Sequence, residues 1–128
     1  MLLKLNKKID ARGTLLPLEI IEIPFTVLRC FFLTDIPLNT TRGDHAHHKT
    51  EQFLFCVYGQ VTVTLNNGAK KSIYNLKAGE GVLIPKKVWN SFFVTKLNTV
   101  LAVLASTIYD ENDYINCYNE FISLLNSK

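Results

Sequence analysis

The three histidines of this 128-residue chain, His45, His47 and His48, lie within four consecutive positions. Side chains two residues apart on a strand point to the same face, so His45 and His47 can reach one small volume while His48 points away from it. Two imidazoles that converge on one point predict either a metal site or a pair of proton-transfer groups. The alternative is a solvated or hydrogen-bonded histidine pair without chemistry.

The elements that would position these histidines read mainly as short strands. Segments rich in strand-forming residues, such as 27–33 and 61–65, are separated by turn residues. Asn67 and Gly68 carry a hairpin signal. Strands that recur about every eight to twelve positions predict a β-sandwich or barrel. The length predicts one domain over residues 1–128, with the barrel over about residues 1–108.

Only the C-terminal segment has a helical pattern. Asp110 can cap a helix that follows it. Apolar side chains then recur at a spacing of about 3.6 residues, at Ile115, Tyr118, Phe121, Ile122 and Leu125. We therefore predict a short C-terminal α-helix over about residues 111–126.

Charge and hydropathy argue against nucleic acid and membranes as partners. The formal net charge is only +3, and no long run concentrates the basic residues. Isolated lysine pairs at 7–8, 70–71 and 86–87 fit a solvated surface better than a nucleic-acid footprint. No apolar run approaches the ~20 residues of a membrane span.

Cysteine usage and the N-terminal segment predict a cytoplasmic protein. Cys30, Cys56 and Cys117 fit no zinc or disulfide pattern, and each has apolar neighbours. Free thiols of this kind are typical of a reducing compartment. Residues 1–8 lack the long apolar stretch of a signal peptide.

The residues around the histidines resemble the first motif of the cupin superfamily. The matching positions are Gly43, His45, His47, Glu51 and Gly59. Metal-binding cupins add a third histidine from a second motif, and Asn90 stands at that position here. An amide is a poor ligand for zinc, iron or nickel, although two histidines and Glu51 can still form an iron triad. The metal-free alternative leaves His45 and His47 as acid and base groups, because their unperturbed pKa of ~6.5 lies near working pH.

A closer resemblance extends over almost the whole chain. Four stretches, at residues 10–15, 24–32, 42–52 and 104–115, resemble in order the sugar-nucleotide 3,4-ketoisomerases that act on dTDP-4-keto-6-deoxy-D-glucose. The Arg-Gly-x-His-Ala-His core is specific. The C-terminal signature Tyr-Asp-Glu-x-Asp-Tyr-Ile is more so, because nothing about a β-barrel demands it.

This resemblance implies a cupin jelly roll that needs neither a metal nor a redox cofactor. It implies an enediol isomerisation that moves the keto group from C4 to C3 of the hexose, with His45 and His47 as the acid/base pair. The product would feed the synthesis of a dTDP-3-amino-3,6-dideoxyhexose for a surface polysaccharide. Relatives are homodimers that exchange N-terminal strands, and the apolar Leu2, Leu3 and Leu5 are compatible with that arrangement.

Substrate-binding candidates follow from the residue types within the matching stretches. The chain has only three arginines, Arg12, Arg29 and Arg42, and all three lie in these stretches. Arginine binds phosphate through paired hydrogen bonds, so they are candidates for the pyrophosphate, although Arg29 fits an edge-strand surface charge equally well. Further candidates for the sugar, each with a structural alternative, are Gln52, Trp89 and Asn90.

Two departures from the family pattern concern the proton-transfer groups. Phe31 and Phe32 stand where family members often carry a tyrosine, so another donor must replace that hydroxyl if it shuttles a proton. Asn90 stands where some relatives have histidine, and an amide cannot transfer a proton at neutral pH. The rival functions are a dTDP-4-keto-sugar epimerase, a non-catalytic sugar-binding cupin and a metal-dependent oxygenase.

Overall fold

The computed structural model describes residues 1–127 and is built mainly from short β-strands. The strands are β1 (Leu2–Lys4), β2 (Lys8–Asp10), β3 (Gly13–Leu15), β4 (Arg29–Leu33), β5 (Arg42–His47), β6 (Gln52–Tyr58), β7 (Gln60–Asn66), β8 (Lys71–Lys77), β9 (Glu80–Ile84), β10 (Trp89–Val94), β11 (Val100–Ala105) and β12 (Tyr114–Ile115). Single 3-10 turns lie at Ile20–Glu22 and Glu111–Asp113, and helix α1 spans Tyr118–Asn126.

The strands form two antiparallel sheets of five strands each. The first has the order β1-β9-β6-β11-β4, and the second has the order β12-β5-β10-β7-β8. Strands β2 and β3 pair only with each other, as a separate hairpin. The all-β jelly-roll prediction is confirmed, although the sheets are not joined by hydrogen bonds into a closed barrel within residues 1–127.

The main core lies between the two sheets. On β7 the alternating Val61, Val63 and Leu65 are buried, whereas Thr62 and Thr64 lie on the opposite face and are half-buried. A strand with one buried face requires this alternation of apolar and polar residues. Apolar side chains from β6, β9, β10 and β11 complete the same core.

Strand β6 is buried on both faces, which explains its unbroken apolar sequence. Leu54 and Cys56 face the main core, whereas Phe53 and Phe55 face outward and their rings stack at 4.8 Å. The N-terminal segment covers that outer face with Leu3, Leu5, Leu18, Phe25 and Val27. The first sheet is therefore covered on both faces where it carries β6.

The C-terminal helix begins at Tyr118, and the sequence-based start at residue 111 is wrong. Asp110 does act as a cap, but of the 3-10 turn, where its Oδ1 accepts a hydrogen bond of 3.0 Å from the Asn112 amide. Tyr114 and Ile115 then pair with His47 and Ala46 of β5. This pairing satisfies their backbone groups and buries Ile115 with Ala46 and Phe121, so tertiary packing overrides the helical pattern. Within residues 1–127, no helix has the length and apolar character needed to cross a bilayer.

The tight turn at Gly59 gives a stability prediction. Gly59 and Gly79 have φ angles of +94° and +91°, so alanine at either position adopts a left-handed conformation that should cost about 1 kcal/mol. A Cβ at Gly59 would also lie 2.8 Å from the Cα of the buried Thr99, whereas a Cβ at Gly79 would lie 3.4 Å from Leu16 Cδ2. We expect Gly59→Ala to lower the free energy of unfolding by about 1–3 kcal/mol more than Gly79→Ala. Urea denaturation of both variants measures the difference, and equal losses would contradict the clash.

Candidate active site

A cavity of about 290 Å³ opens between the two sheets, next to the paired histidines. Its apolar walls come from Phe31, Leu33, Leu54, Ile84, Phe92 and Val103. Its polar groups are Arg42, His45, Gln52, Asn90 and Tyr114, and the backbone of Gly43 completes the lining. A few polar groups that converge in an apolar pocket are typical of a small-molecule site.

A β-bulge on β5 sets the direction of His45. Gly43 and Asp44 have φ angles of +75° and +60°, and the pairing with β10 shifts register there, so Asp44 has no cross-strand partner. A Cβ at Gly43 would lie 2.7 Å from Asn90 Oδ1, which is why only glycine fits. The Asp44 carboxylate accepts a hydrogen bond of 3.1 Å from Trp89 Nε1 on the other face of the sheet. Bulges of this kind re-aim side chains and are frequent beside active sites.

The tautomer of His45 follows from its hydrogen bond. His45 Nδ1 lies 3.0 Å from the Gly43 carbonyl oxygen, which can only accept. Nδ1 therefore carries the proton in the neutral ring, and Nε2 is left as the basic nitrogen. The Asn90 side chain on β10 donates a hydrogen bond of 3.1 Å to the His45 carbonyl oxygen, and this bond joins β5 to β10 at the histidine.

His47 lies next to His45 but is not part of the cavity wall. The ring centroids are 5.0 Å apart at an interplanar angle of 86°, so the pair predicted from the spacing does converge. His47 Nδ1 lies 3.0 Å from Asp113 Oδ2, which assigns its basic nitrogen to Nε2 as well. That Nε2 is buried and has no hydrogen-bond partner in the part of the chain that the structure describes. His48 is half-buried, and its backbone N–H donates to the Asp113 carbonyl at 2.9 Å.

Asp113 holds His47 in place and is a site residue that sequence reasoning missed. Its carboxylate accepts hydrogen bonds from His47 Nδ1, from the amides of Lys49 (2.9 Å) and Thr50 (3.2 Å), and from the Thr50 hydroxyl. The Thr50 hydroxyl also lies 2.7 Å from that of Thr107. Asp113 is part of the C-terminal signature Tyr-Asp-Glu-x-Asp-Tyr-Ile, and this membership was the sequence observation that could have identified it.

The environment keeps both imidazoles neutral near pH 7. Burial lowers the pKa of His45 below its ordinary value of 6.5 and outweighs the opposing effect of the Gly43 carbonyl. Burial also lowers the pKa of His47, the neighbouring His45 lowers it further, and Asp113 only partly offsets them. Burial acts to raise the pKa of Asp113, but hydrogen bonds from Thr50, Lys49 and His47 hold it below the ordinary range. The result is an ionised carboxylate behind two neutral bases.

The three arginines occupy different positions relative to the cavity. Arg42 lines it directly. Arg29 is half-buried, with its guanidinium carbon 5.1 Å from the centroid of the cavity residue Phe31 and 5.6 Å from that of Tyr109, and its buried Nε has no hydrogen-bond partner among residues 1–127. Arg12 does not line this cavity: its side chain is 91% exposed on the β2–β3 hairpin and pairs with Asp10 at 2.7 Å.

The other three candidates, Gln52, Asn90 and Trp89, also differ in whether they line the cavity. Gln52 and Asn90 line the cavity and are buried, at 6% and 2% exposure. The Trp89 ring instead lies on the other face of the sheet, with centroids 5.3 Å from Tyr118 and 5.6 Å from Phe121. This is a correction to its candidacy as a pocket wall, because the contacts support the core-packing alternative.

Glu51 is not part of a ligand set with the histidines. The hydrogen bonds described for Glu51 use its backbone atoms, and its amide donates to Ser106 Oγ at 2.8 Å. Among residues 1–127, no group of three or more His, Cys, Asp or Glu side chains is arranged to hold a metal ion. The iron triad considered for His45, His47 and Glu51 therefore has no geometric support.

A jelly roll with paired histidines beside an inter-sheet cavity defines the class of small cupin proteins. Within that class, residues 1–126 match the family described as FdtA: WxcM-like, C-terminal, and the chain belongs to this family.

Individual relatives agree with the family assignment. The TDP-4-oxo-6-deoxy-alpha-D-glucose-3,4-oxoisomerase of Aneurinibacillus thermoaerophilus is 36% identical over 118 residues, which are 91% of this chain and 85% of the relative. A 3,4-ketoisomerase from Helicobacter canadensis superposes with a TM-score of 0.90 at 35% identity, covering 99% of this chain and 97% of that one. A mutant 3,4-ketoisomerase from Thermoanaerobacterium thermosaccharolyticum, in complex with TDP-4-keto-6-deoxyglucose, has the same TM-score at 35% identity, covering 100% and 94%. These findings confirm the cupin fold and the resemblance to the 3,4-ketoisomerases.

Proposed function

We propose that this protein is a sugar-nucleotide 3,4-ketoisomerase that converts dTDP-4-keto-6-deoxy-D-glucose into a dTDP-3-keto-6-deoxyhexose. The observation that carries the proposal is the neutral His45 imidazole on the cavity wall, with Nε2 as its basic nitrogen. The Aneurinibacillus thermoaerophilus relative is named for this compound and the Thermoanaerobacterium thermosaccharolyticum mutant is in complex with it, which supports the choice of substrate.

The chemistry is an enediol isomerisation that needs no net change in oxidation state. A base removes the proton from C3, and the C4 carbonyl oxygen gains a proton to give the enediol. A proton then returns to C4 while the oxygen on C3 loses its own. His45 lies on the cavity wall and is our candidate for the exchange of the carbon-bound proton, whereas His47, the second member of the pair implied by the resemblance, is buried beside it against Asp113.

The size of the cavity suits the hexose rather than the whole sugar nucleotide. At about 290 Å³ it lies at the lower limit of small-molecule sites, which begin at roughly 300 Å³. The nucleotide therefore extends beyond it, and Arg42 and Arg29 are the cations nearest the sugar that can bind the pyrophosphate. Gln52 and Asn90 are placed to hydrogen-bond sugar hydroxyls.

A second copy of the chain completes the molecule in this proposal. Within residues 1–127 the β2–β3 hairpin is hydrogen-bonded to no other strand, and its apolar side chains Ile9 and Leu15 are 70% and 60% exposed. An isolated two-stranded hairpin is marginally stable at best, so a homodimer with exchanged N-terminal strands would give it a surface to pack on. The exchange of N-terminal strands would also bring Arg12 next to the cavity of the partner subunit. Sedimentation velocity should give a dimer for the wild type and a monomer for Ile9→Glu/Leu15→Glu, and a monomeric wild type would contradict this part of the proposal.

The proposed reaction also indicates which class of enzyme acts next and in which compartment the protein works. A 3-keto sugar nucleotide is a substrate for an aminotransferase, which fits a route to a dTDP-3-amino-3,6-dideoxyhexose. Cys30, Cys56 and Cys117 are free thiols, which is consistent with a cytoplasmic enzyme that acts as a single domain.

The decisive experiment is incubation with dTDP-4-keto-6-deoxyglucose in D2O, without added metal or nicotinamide cofactor, followed by NMR of the sugar ring. A carbonyl at C3 is the expected result, and the coupling at C4 would assign the configuration of the product. A carbonyl that stays at C4 with exchanged ring protons would identify an epimerase instead. Unchanged substrate would favour a binding protein or a metal-dependent enzyme.

The lowered histidine pKa values predict the pH profile of this activity. A base must be neutral to accept a proton, and a pKa below 6.5 keeps each imidazole neutral down to a lower pH than an unperturbed histidine. We therefore expect kcat/KM to fall at acidic pH, with the midpoint of the acidic limb below pH 6.5. The apparent pKa of the acidic limb belongs to the coupled pair. Initial rates between about pH 5 and 8.5 test this, and a limb centred above pH 6.5 would contradict it.

A further inference from the structure

The proposed isomerisation needs a group that serves the substrate's oxygens as well as one that serves its carbons. Between substrate and product, the oxygen on C4 gains a proton and the oxygen on C3 loses one. The group that performs this exchange must both donate and accept a proton, and it must lie on the cavity wall.

Few of the described residues that line the cavity have this capacity. The guanidinium of Arg42 only donates, and the amides of Gln52 and Asn90 do not release protons near neutral pH. The other walls are hydrocarbon, apart from the Gly43 backbone. His45 and Tyr114 are therefore the two lining side chains able to donate and accept, and Tyr114 carries the hydroxyl.

The position of Tyr114 is fixed directly against the histidine pair. Strand β12 places it opposite His47 in the ladder. Its ring centroid lies 4.5 Å from that of His47 and 5.0 Å from that of His45. Tyr114 is half-buried, and no hydrogen bond within residues 1–127 engages its hydroxyl, whereas the Tyr118 hydroxyl accepts one of 2.9 Å from Asn66.

We propose that Tyr114 is a catalytic residue whose hydroxyl moves the proton between the two substrate oxygens. This inference rests on the proposed 3,4-ketoisomerase function. In the first half, His45 takes the C3 proton as the Tyr114 O–H donates to the C4 oxygen, which yields the enediol and a phenolate. In the second half, the phenolate takes the proton from the C3 oxygen as the imidazolium returns its proton to C4. Both side chains end in their starting states, and no external oxidant or reductant is needed.

The test is Tyr114→Phe, which removes the hydroxyl and keeps the ring that packs on both histidines. Loss of one donor to a developing oxyanion typically costs about 10²–10³ in kcat, and we expect a loss of that size with KM changed by no more than about threefold. Tyr109→Phe is the matched control, because that ring lies 6.1 Å from Tyr114, is 62% exposed and is not part of the cavity wall. It should keep kcat within about twofold of the wild type.

The outcomes separate this inference from the proposed function. A kcat for Tyr114→Phe that equals that of the wild type would overturn the proton shuttle alone, and so would a change confined to KM. A wild-type protein that leaves the carbonyl at C4 would overturn the proposed function and the shuttle with it. Urea unfolding of Tyr114→Phe should match the wild type, because the hydroxyl makes no hydrogen bond within residues 1–127 that the variant would lose.

Discussion

Replacement of His45 by asparagine is expected to lower kcat by about 10³, because positioned acid/base groups contribute about 10²–10⁴ in rate. Asparagine cannot accept the carbon-bound proton, although its amide can still occupy the space beside Gly43. The measurement is turnover of dTDP-4-keto-6-deoxyglucose followed by NMR. Binding of TDP by calorimetry should change little, because the nucleotide lies outside the cavity that His45 lines in the proposed complex.

The control for this prediction is His48→Asn, which alters a histidine three positions away that is not part of the cavity wall. It should keep kcat near the wild-type value. The kcat of His47→Asn should lie between those of His45→Asn and His48→Asn, about 10² below the wild type. The reason is that His47 lies beside His45 and is not part of the cavity wall. Equal losses for all three variants would indicate a disturbed strand β5 and would contradict the assigned roles.

Replacement of Asp113 by alanine is expected to lower the free energy of unfolding by about 3–5 kcal/mol. The carboxylate is 4% exposed and accepts hydrogen bonds from His47, from two backbone amides and from the Thr50 hydroxyl. Alanine would remove the acceptor of two buried donors, His47 Nδ1 and the Thr50 amide. Urea denaturation at pH 7 measures the change.

The control is Asp110→Ala, which removes a carboxylate that is 39% exposed. Asp110 caps only the short 3-10 turn and lies 3.7 Å from Lys49 Nζ, so its loss should cost about 1 kcal/mol. A similar cost for the two variants would show that the Asp113 network adds little to stability.

The same network gives wild-type stability a dependence on pH. The pKa of Asp113 is lowered in the folded state, so its stabilisation is present at neutral pH and is lost as the pH falls through the folded-state value. The lowered pKa values of His45 and His47 act in the same direction, because the unfolded chain takes up protons at those residues first, near pH 6.5. Stability should therefore begin to fall below about pH 6.5.

A period of two along short strands was sufficient to predict an all-β fold and the convergence of His45 with His47, whereas the jelly roll was predicted from the family resemblance. It did not predict the partner of His47, since Asp113 is 66 positions away along the chain and reaches it through tertiary structure. Tyr114 was missed for the same reason. Both residues lie in the signature that carried the resemblance, but residue type alone gave them no role.

The start of the C-terminal helix and the position of Trp89 depend on tertiary features that the sequence pattern does not carry. A helical pattern over residues 111–126 ignored that Tyr114 and Ile115 can pair with an open strand edge, which β5 offers. Trp89 borders Asn90, but neighbours on a strand point to opposite faces, so only one of them can line the cavity. Arg12 shows a further limit, because its hairpin pairs with no other strand of residues 1–127 and Arg12 does not line the cavity that these residues form.

The bulge at Asp44 links the two faces of the second sheet. On a regular strand, residues three apart point in opposite directions, yet Arg42 and His45 both line the cavity because Asp44 is an extra, unpaired residue between them. The Asp44 side chain reaches Trp89 on the opposite side, beneath helix α1. We therefore expect the packing of helix α1 on Trp89 to affect, through Asp44, the directions in which His45 and Arg42 point. Substitutions that loosen Trp89 would appear in kinetics as active-site defects although they never contact the substrate.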